Sequence, residues 1–113
     1  AGAIVINGTD APVEDISPIE CFYASVTRKR TNPAMEFFPE QAMTRQEAIT
    51  SYTLTPAFAA FEEDIKGSLK AGKVADITVL SNDLINCDEE DILDTKVLMT
   101  IVDGVVKYDA TDD

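Results

Sequence analysis

The sequence has no histidine and no tryptophan, two cysteines, and 9 Lys plus Arg against 21 Asp plus Glu among its 113 residues. Each shortage excludes something. Without imidazole, this chain cannot build a Ser-His-Asp or Cys-His catalytic group, nor a His-ligated zinc site. With a net charge of −12 it lacks the basic footprint of a nucleic-acid binder. Two cysteines, Cys21 and Cys87, are too few for a disulfide-dense secreted scaffold, and their separation gives no metal or redox spacing. They read as free thiols in a reducing compartment. No apolar run approaches the ~20 residues of a membrane span, and the N-terminus shows no basic segment followed by an apolar one, so no signal peptide is visible. The expected location is cytoplasmic, with neither nucleic acid nor membrane as partner.

What is present suits a folded domain. Hydrophobic residues make up 45% and the mean hydropathy is −0.03. A chain of this length can bury roughly two-thirds of its unfolded surface, so disorder is not expected despite the charge. The acids are unevenly spread: residues 1–57 hold 7 acids and 4 bases, whereas residues 58–113 hold 14 acids and 5 bases. Clusters at Glu62-Glu63-Asp64, Asp88-Glu89-Glu90-Asp91 and Asp112-Asp113 read as solvated loops and helix ends that favour solubility. An acidic cation-binding or DNA-mimicking role has only this net charge behind it. The oxygen-ligand ladder of an EF-hand is missing.

Periodicity orders the chain. Ala3-Ile4-Val5-Ile6 is a short continuous apolar run ending at Asn7-Gly8, the pattern of a strand buried on both faces of a parallel sheet. Ser17-Pro18-Ile19-Glu20 opens a helix, with Ser17 as cap and Glu20 closing a capping box. Ile19, Phe22, Tyr23 and Val26 form its apolar stripe, and Arg28-Lys29-Arg30 fit its last turn, where cations favour the dipole. Residues 31–43, with Asn32, Pro33 and Pro39, read as an extended loop pinned to a core by Phe37 and Phe38. Thr44 and Glu47 form a second capping box, ahead of a buried face of Ala48, Ile49, Tyr52 and Leu54. Thr55 as cap and Pro56 as first residue start a third helix reaching about Glu63, anchored by Phe58 and Phe61. Beyond Lys66-Gly67-Ser68 the period changes: Ala75–Leu80 is β-rich, Asp88–Leu93 fits one helical turn, and Lys96–Val102 and Val105–Tyr108 flank Asp103-Gly104, the strongest short hairpin signal.

One position has the context of a reactive group. Asp10 follows the apolar run by a few residues, and in parallel α/β sheets ligands gather at the carboxyl ends of strands. A carboxylate there can bind a metal or take a proton from water. The alternative is a turn former, since Asp near Gly commonly serves as one. A single doubly buried strand also needs neighbours that no second βα unit here supplies, so the residues behave like the end of something larger.

The segment Asn7-Gly8-Thr9-Asp10-Ala11-Pro12 resembles the Gly-Ser-Asp-Ala-Pro stretch that ends the last barrel strand in the amidohydrolase superfamily. Gly67-Ser68-Leu69-Lys70-Ala71-Gly72-Lys73-Val74-Ala75-Asp76-Ile77 is similar to that superfamily's Gly-Ser-Leu-x-x-Gly-Lys-x-Ala-Asp-Leu signature. Thr100–Val106 resembles its closing hairpin. The likeness runs in order along nearly the whole chain and points to the formamide-deformylase-like, "amidohydrolase 3" branch. It implies an α+β fold: the last strand and helix of a TIM-type barrel, two further helices, and a small antiparallel sheet forming part of a β-sandwich. Residues 1–66 would hold the barrel strand and three helices, and 67–113 the sheet segment, folded together as one unit. The implied activity is metal-dependent hydrolysis of C–N bonds in small-molecule amides, with zinc or another divalent metal as cofactor of the full-length family. Asp10 is the implied metal ligand and base toward the hydrolytic water, and Gly67–Asp76 is implied to be structural. The family's His ligands lie in upstream barrel strands, so this chain is expected to hold no cofactor alone and to be inactive by itself. Its expected partner is the missing upstream barrel, or another copy of itself through exposed apolar surface. The competing expectation is a free-standing acidic α+β interaction module without catalysis.

Overall fold

The computed structural model describes residues 2–31 and 34–111. The order is α1 (Pro18–Thr27), β1 (Lys29–Thr31), β2 (Ala34–Glu36), α2 (Arg45–Tyr52), α3 (Leu54–Ala59), β3 (Ile77–Leu80), β4 (Val97–Val102) and β5 (Val105–Asp109), with single 3-10 turns at Pro39–Gln41 and Glu89–Asp91. β1 and β2 make a two-stranded antiparallel sheet, and β3-β4-β5 a three-stranded antiparallel one. The fold is therefore α+β.

Capping chemistry sets the helix starts. Ser17 accepts the Glu20 N–H at 3.3 Å, with Pro18 in the first turn of α1. At α2 the box is reciprocal: Glu47 N–H donates to Thr44 Oγ1 at 3.2 Å, and Thr44 N–H donates to the Glu47 carboxylate at 2.8 Å. The Thr44 N–H and the Thr44 hydroxyl, which donates to the same carboxylate at 2.9 Å, hold the Glu47 carboxyl below its usual range. The α1 stripe forms as its spacing requires: Phe22 is buried, and Ile19, Tyr23 and Val26 pack against the cluster of Phe22, Ala48, Leu84 and Ile92. Asp103 and Gly104 both adopt positive φ, 51° and 73°, which matches the twist of the β4–β5 strands.

Leu84 and Ile92 come from the loop between β3 and β4, so the core joins the helices to the sheet segment. Arg45 makes the same join with polar groups. Its guanidinium donates to the Leu84 carbonyl at 2.7 Å and the Cys87 carbonyl at 3.1 Å. Within the signature stretch, the Asp76 carboxylate accepts the Asp103 N–H at 2.8 Å, and Gly104 N–H donates to Ala75 O at 3.0 Å. Lys73 Nζ donates to the Glu63 and Lys66 carbonyls. Every one of these is a scaffold contact. Cys21 and Cys87 are half-buried free thiols.

Several expectations fail, for identifiable reasons. Ala3–Ile6 is not a strand in this chain and is not buried; Ile4 is 62% exposed. A strand needs partners for its N–H and C=O groups, and among the described residues no strand pairs with this run. Arg28 does not end a helical last turn: it adopts a left-handed conformation (φ 57°) and caps α1. Lys29 and Arg30 then start β1 instead, in register with Glu36 and Met35. The stretch 31–43 is accordingly a hairpin arm and a 3-10 turn rather than one extended loop; Asn32 and Pro33 lie outside the described residues, as does the Asp112-Asp113 pair. Phe37 and Phe38 are exposed rather than core anchors, although the Arg28 guanidinium lies 5.6 Å from the Phe37 ring centre. α3 begins at Leu54, because the Thr55 hydroxyl is used on the Thr50 carbonyl (2.7 Å) and not as a cap. Leu54, Phe58 and Phe61 face solvent, Phe61 at 93% exposure. The Cα radius of gyration, 15.0 Å, exceeds the ~13 Å of a compact chain this long. Much apolar surface thus lies outside the core.

Candidate functional site

Asp10 sits in the irregular segment 2–16 that leads into α1. It has a left-handed φ of 53°, and its carbonyl accepts the Val13 N–H at 2.8 Å, closing a turn. Its side chain is exposed, and its carboxylate makes no hydrogen bond or ion pair among the described residues. A non-glycine residue at positive φ is uncommon, and Asp tolerates it better than most.

The segment is fastened three residues earlier. Asn7 N–H donates to the Ser51 carbonyl at 3.0 Å. Asn7 Nδ2 donates to Ser51 Oγ at 2.9 Å and to Ser25 Oγ at 3.3 Å, with Met43 Sδ at 3.8 Å. Ser25 lies in α1 and Ser51 in α2, so one side chain ties the Asp10 segment to both helices. In the sequence, Asn7 ends an apolar run and opens the stretch that resembles the family, with no role of its own. The available signal was a polar residue with no alternation around it.

The described residues do not complete a metal centre. Among them, no three His, Cys, Asp or Glu side chains converge, and Asp10 offers a single carboxylate. Two surface hollows among the described residues, one at the β1–β2 hairpin and one between α3, Gly67 and Asp76, are lined by other residues than Asp10.

The sequence matches the Amidohydrolase family over residues 1–108. The chain belongs to the amidohydrolase family. An N-substituted formamide deformylase of Arthrobacter pascens is 36% identical over 111 residues, which covers 98% of this chain and 20% of that protein. The LONG AFTER FAR-RED 3 protein of Arabidopsis thaliana is 31% identical over 106 residues, 94% of this chain and 18% of that protein. This chain thus spans about a fifth of the length of the curated relatives it matches. The solved structure of an amidohydrolase from Thermotoga maritima superposes with a TM-score of 0.70 at 20% identity, covering 96% of this chain and 24% of that one. That likeness carries the fold: this family member's helices and antiparallel sheet are arranged as in a larger amidohydrolase.

Proposed function

We propose that this chain is the C-terminal part of a metal-dependent amidohydrolase acting on C–N bonds of small amides, and that it contributes Asp10 to the active site. The observation that carries the reading is the coincidence of family membership over residues 1–108 with an exposed, unpaired carboxylate just beyond an uncovered apolar run. In a barrel, a strand takes hydrogen-bond partners on both sides and apolar contacts on both faces. Ala3–Ile6 has the composition for that place, and among the described residues no strand pairs with it. Seated as a last barrel strand, it would deliver Asp10 to the carboxyl end of the barrel, where active sites are built.

Asp10 would act as general base. It takes a proton from water as the water oxygen attacks the amide carbon; the proton then passes to the departing nitrogen as the C–N bond breaks, giving a carboxylic acid and an amine. The remaining metal ligands, the substrate pocket and the metal itself would come from residues outside this chain. Gly67–Asp76 would be scaffold, in keeping with the Asp76, Ala75 and Lys73 hydrogen bonds. No helix among the described residues is long and apolar enough to cross a membrane, and the two free thiols fit a cytoplasmic setting. Alone, the chain would associate with itself through its uncovered apolar surface.

The test compares the isolated 113-residue chain with a polypeptide in which a family barrel precedes it. The proposal expects amide turnover and stoichiometric divalent metal only in the longer polypeptide, and loss of turnover by a factor of about 100 or more in its Asp10→Asn variant. Tight metal binding with turnover by the isolated chain would overturn the dependence on a barrel. Full turnover by Asp10→Asn would overturn the role of the carboxylate.

A further inference from the structure

We propose that Asn7 is the positioning residue for Asp10, holding the turn that bears the carboxylate against α1 and α2. The inference rests on the reading of Asp10 as the catalytic carboxylate. Among the described residues, every hydrogen bond from segment 2–16 to the helices starts at Asn7. Two serines receive its amide, and both have already committed their own protons. Ser51 Oγ donates to Ala48 O at 2.6 Å, and Ser25 Oγ donates to Cys21 O at 2.9 Å. Each hydroxyl therefore turns a lone pair toward Asn7. A primary amide has two N–H donors and can satisfy two such acceptors at once. A hydroxyl has one proton, and a carboxylate has none. The chemistry of the pocket thus selects an amide nitrogen.

The clamp matters because Asp10 has little other support. Its side chain is exposed, and it lies three positions beyond Asn7, a reach of at most ~11 Å. Where Asn7 is pinned, together with the Val13–Asp10 turn, determines where the carboxylate points. A displacement of the order of 1 Å at a reacting group costs about 100-fold in rate. Releasing Asn7 would therefore reduce the rate of the chemical step and leave substrate binding, built by other loops, in place.

The test uses the barrel-bearing polypeptide with four variants: Asp10→Asn, Asn7→Ala, the pair Ser25→Ala/Ser51→Ala, and all three alanines together. Asn7→Ala is expected to lower kcat about 10–100-fold with KM within twofold, and to speed amide hydrogen exchange at Gly8, Thr9 and Asp10. In the background lacking both serine hydroxyls, adding Asn7→Ala should change kcat by less than threefold, because the clamp is already gone. If Asn7→Ala does not accumulate as folded protein, Asn7→Asp replaces it; this keeps the shape, removes both donors and is expected to lower kcat likewise. A lower melting temperature with kcat unchanged would overturn the proposal, as would an equal Asn7→Ala effect with and without the serines. Loss of turnover in Asp10→Asn alongside an inert Asn7→Ala would sink this inference alone. Full turnover in Asp10→Asn would instead sink the functional reading beneath it.

Discussion

Gly67 opens the signature stretch and is the position where a single methyl group should do most damage. A Cβ built on it would lie 2.7 Å from Ala57 Cβ, 3.0 Å from the Thr53 carbonyl oxygen and 3.2 Å from Leu54 Cα. None of these is a flexible side-chain end, so α3 itself must move to make room. Gly67 also has φ +88°, where an L side chain costs ~1–2 kcal/mol. Overpacking a site that cannot repack costs a further ~1–3 kcal/mol. Gly67→Ala is therefore expected to destabilise by about 2–5 kcal/mol, a large share of the ~5–15 kcal/mol typical of a domain. Two other glycines separate the terms. Gly72 has φ +92° but open space around it, so Gly72→Ala should cost ~1–2 kcal/mol from the dihedral alone. At Gly8, in open space, the substitution should lie within about 0.5 kcal/mol of neutral. Urea titration followed by circular dichroism gives the three values. Gly67→Ala no worse than Gly72→Ala would refute the claim that close approach to α3 decides this position.

Tyr52 should respond in the opposite sense. Among the described residues its hydroxyl is buried without a hydrogen bond of good geometry; burial, then the neighbouring Cys21 thiol, pushes its pKa up to about 12, with Ser25 opposing. Tyr52→Phe removes an unsatisfied group and should raise stability by up to ~1 kcal/mol in the same titration; a loss of that size would show that the hydroxyl has a partner. Glu47 has a lowered pKa in the folded chain, so its capping contribution is complete above the usual value of 4.5 and is lost as pH falls below it. Urea titrations at pH 6 and pH 3.5 should show less acid destabilisation in Glu47→Gln than in the parent, and equal losses would count against the box. Sedimentation of the isolated chain over a hundredfold concentration range should show mass growing with concentration. A monomer throughout, with a high melting temperature, would favour the free-standing module.

Local signals were legible where one residue type does one physical task. Ser17 and Thr44 cap the helices they were expected to cap, the α1 stripe meets the core through Phe22, and Asp103-Gly104 turns the hairpin. The misreadings share a cause. Ala3–Ile6, Phe37, Phe38, Phe58 and Phe61 are apolar enough to be buried, but periodicity does not say against what, and within this chain little covers them. The β1 arm was missed because Lys29 and Arg30 suit a helix end and give no alternation; the left-handed Arg28 that reverses the chain leaves no compositional mark. Asp10 stands out as a candidate from its place after an apolar run. Asn7 does not, because its partners Ser25 and Ser51 are 18 and 44 residues away and only the folded helix pair brings them together.

Ala3–Ile6, which is not a strand here, is proposed to become one when barrel strands from outside this chain flank it. Amide hydrogen exchange of Ile4, Val5 and Ile6 tests it directly, measured in the isolated chain and in the polypeptide with a barrel ahead of it. Exchange is expected to be near-unprotected in the isolated chain and slower by a factor of 1,000 or more (~4 kcal/mol) once flanking strands supply hydrogen-bond partners. Equally fast exchange in both would contradict it.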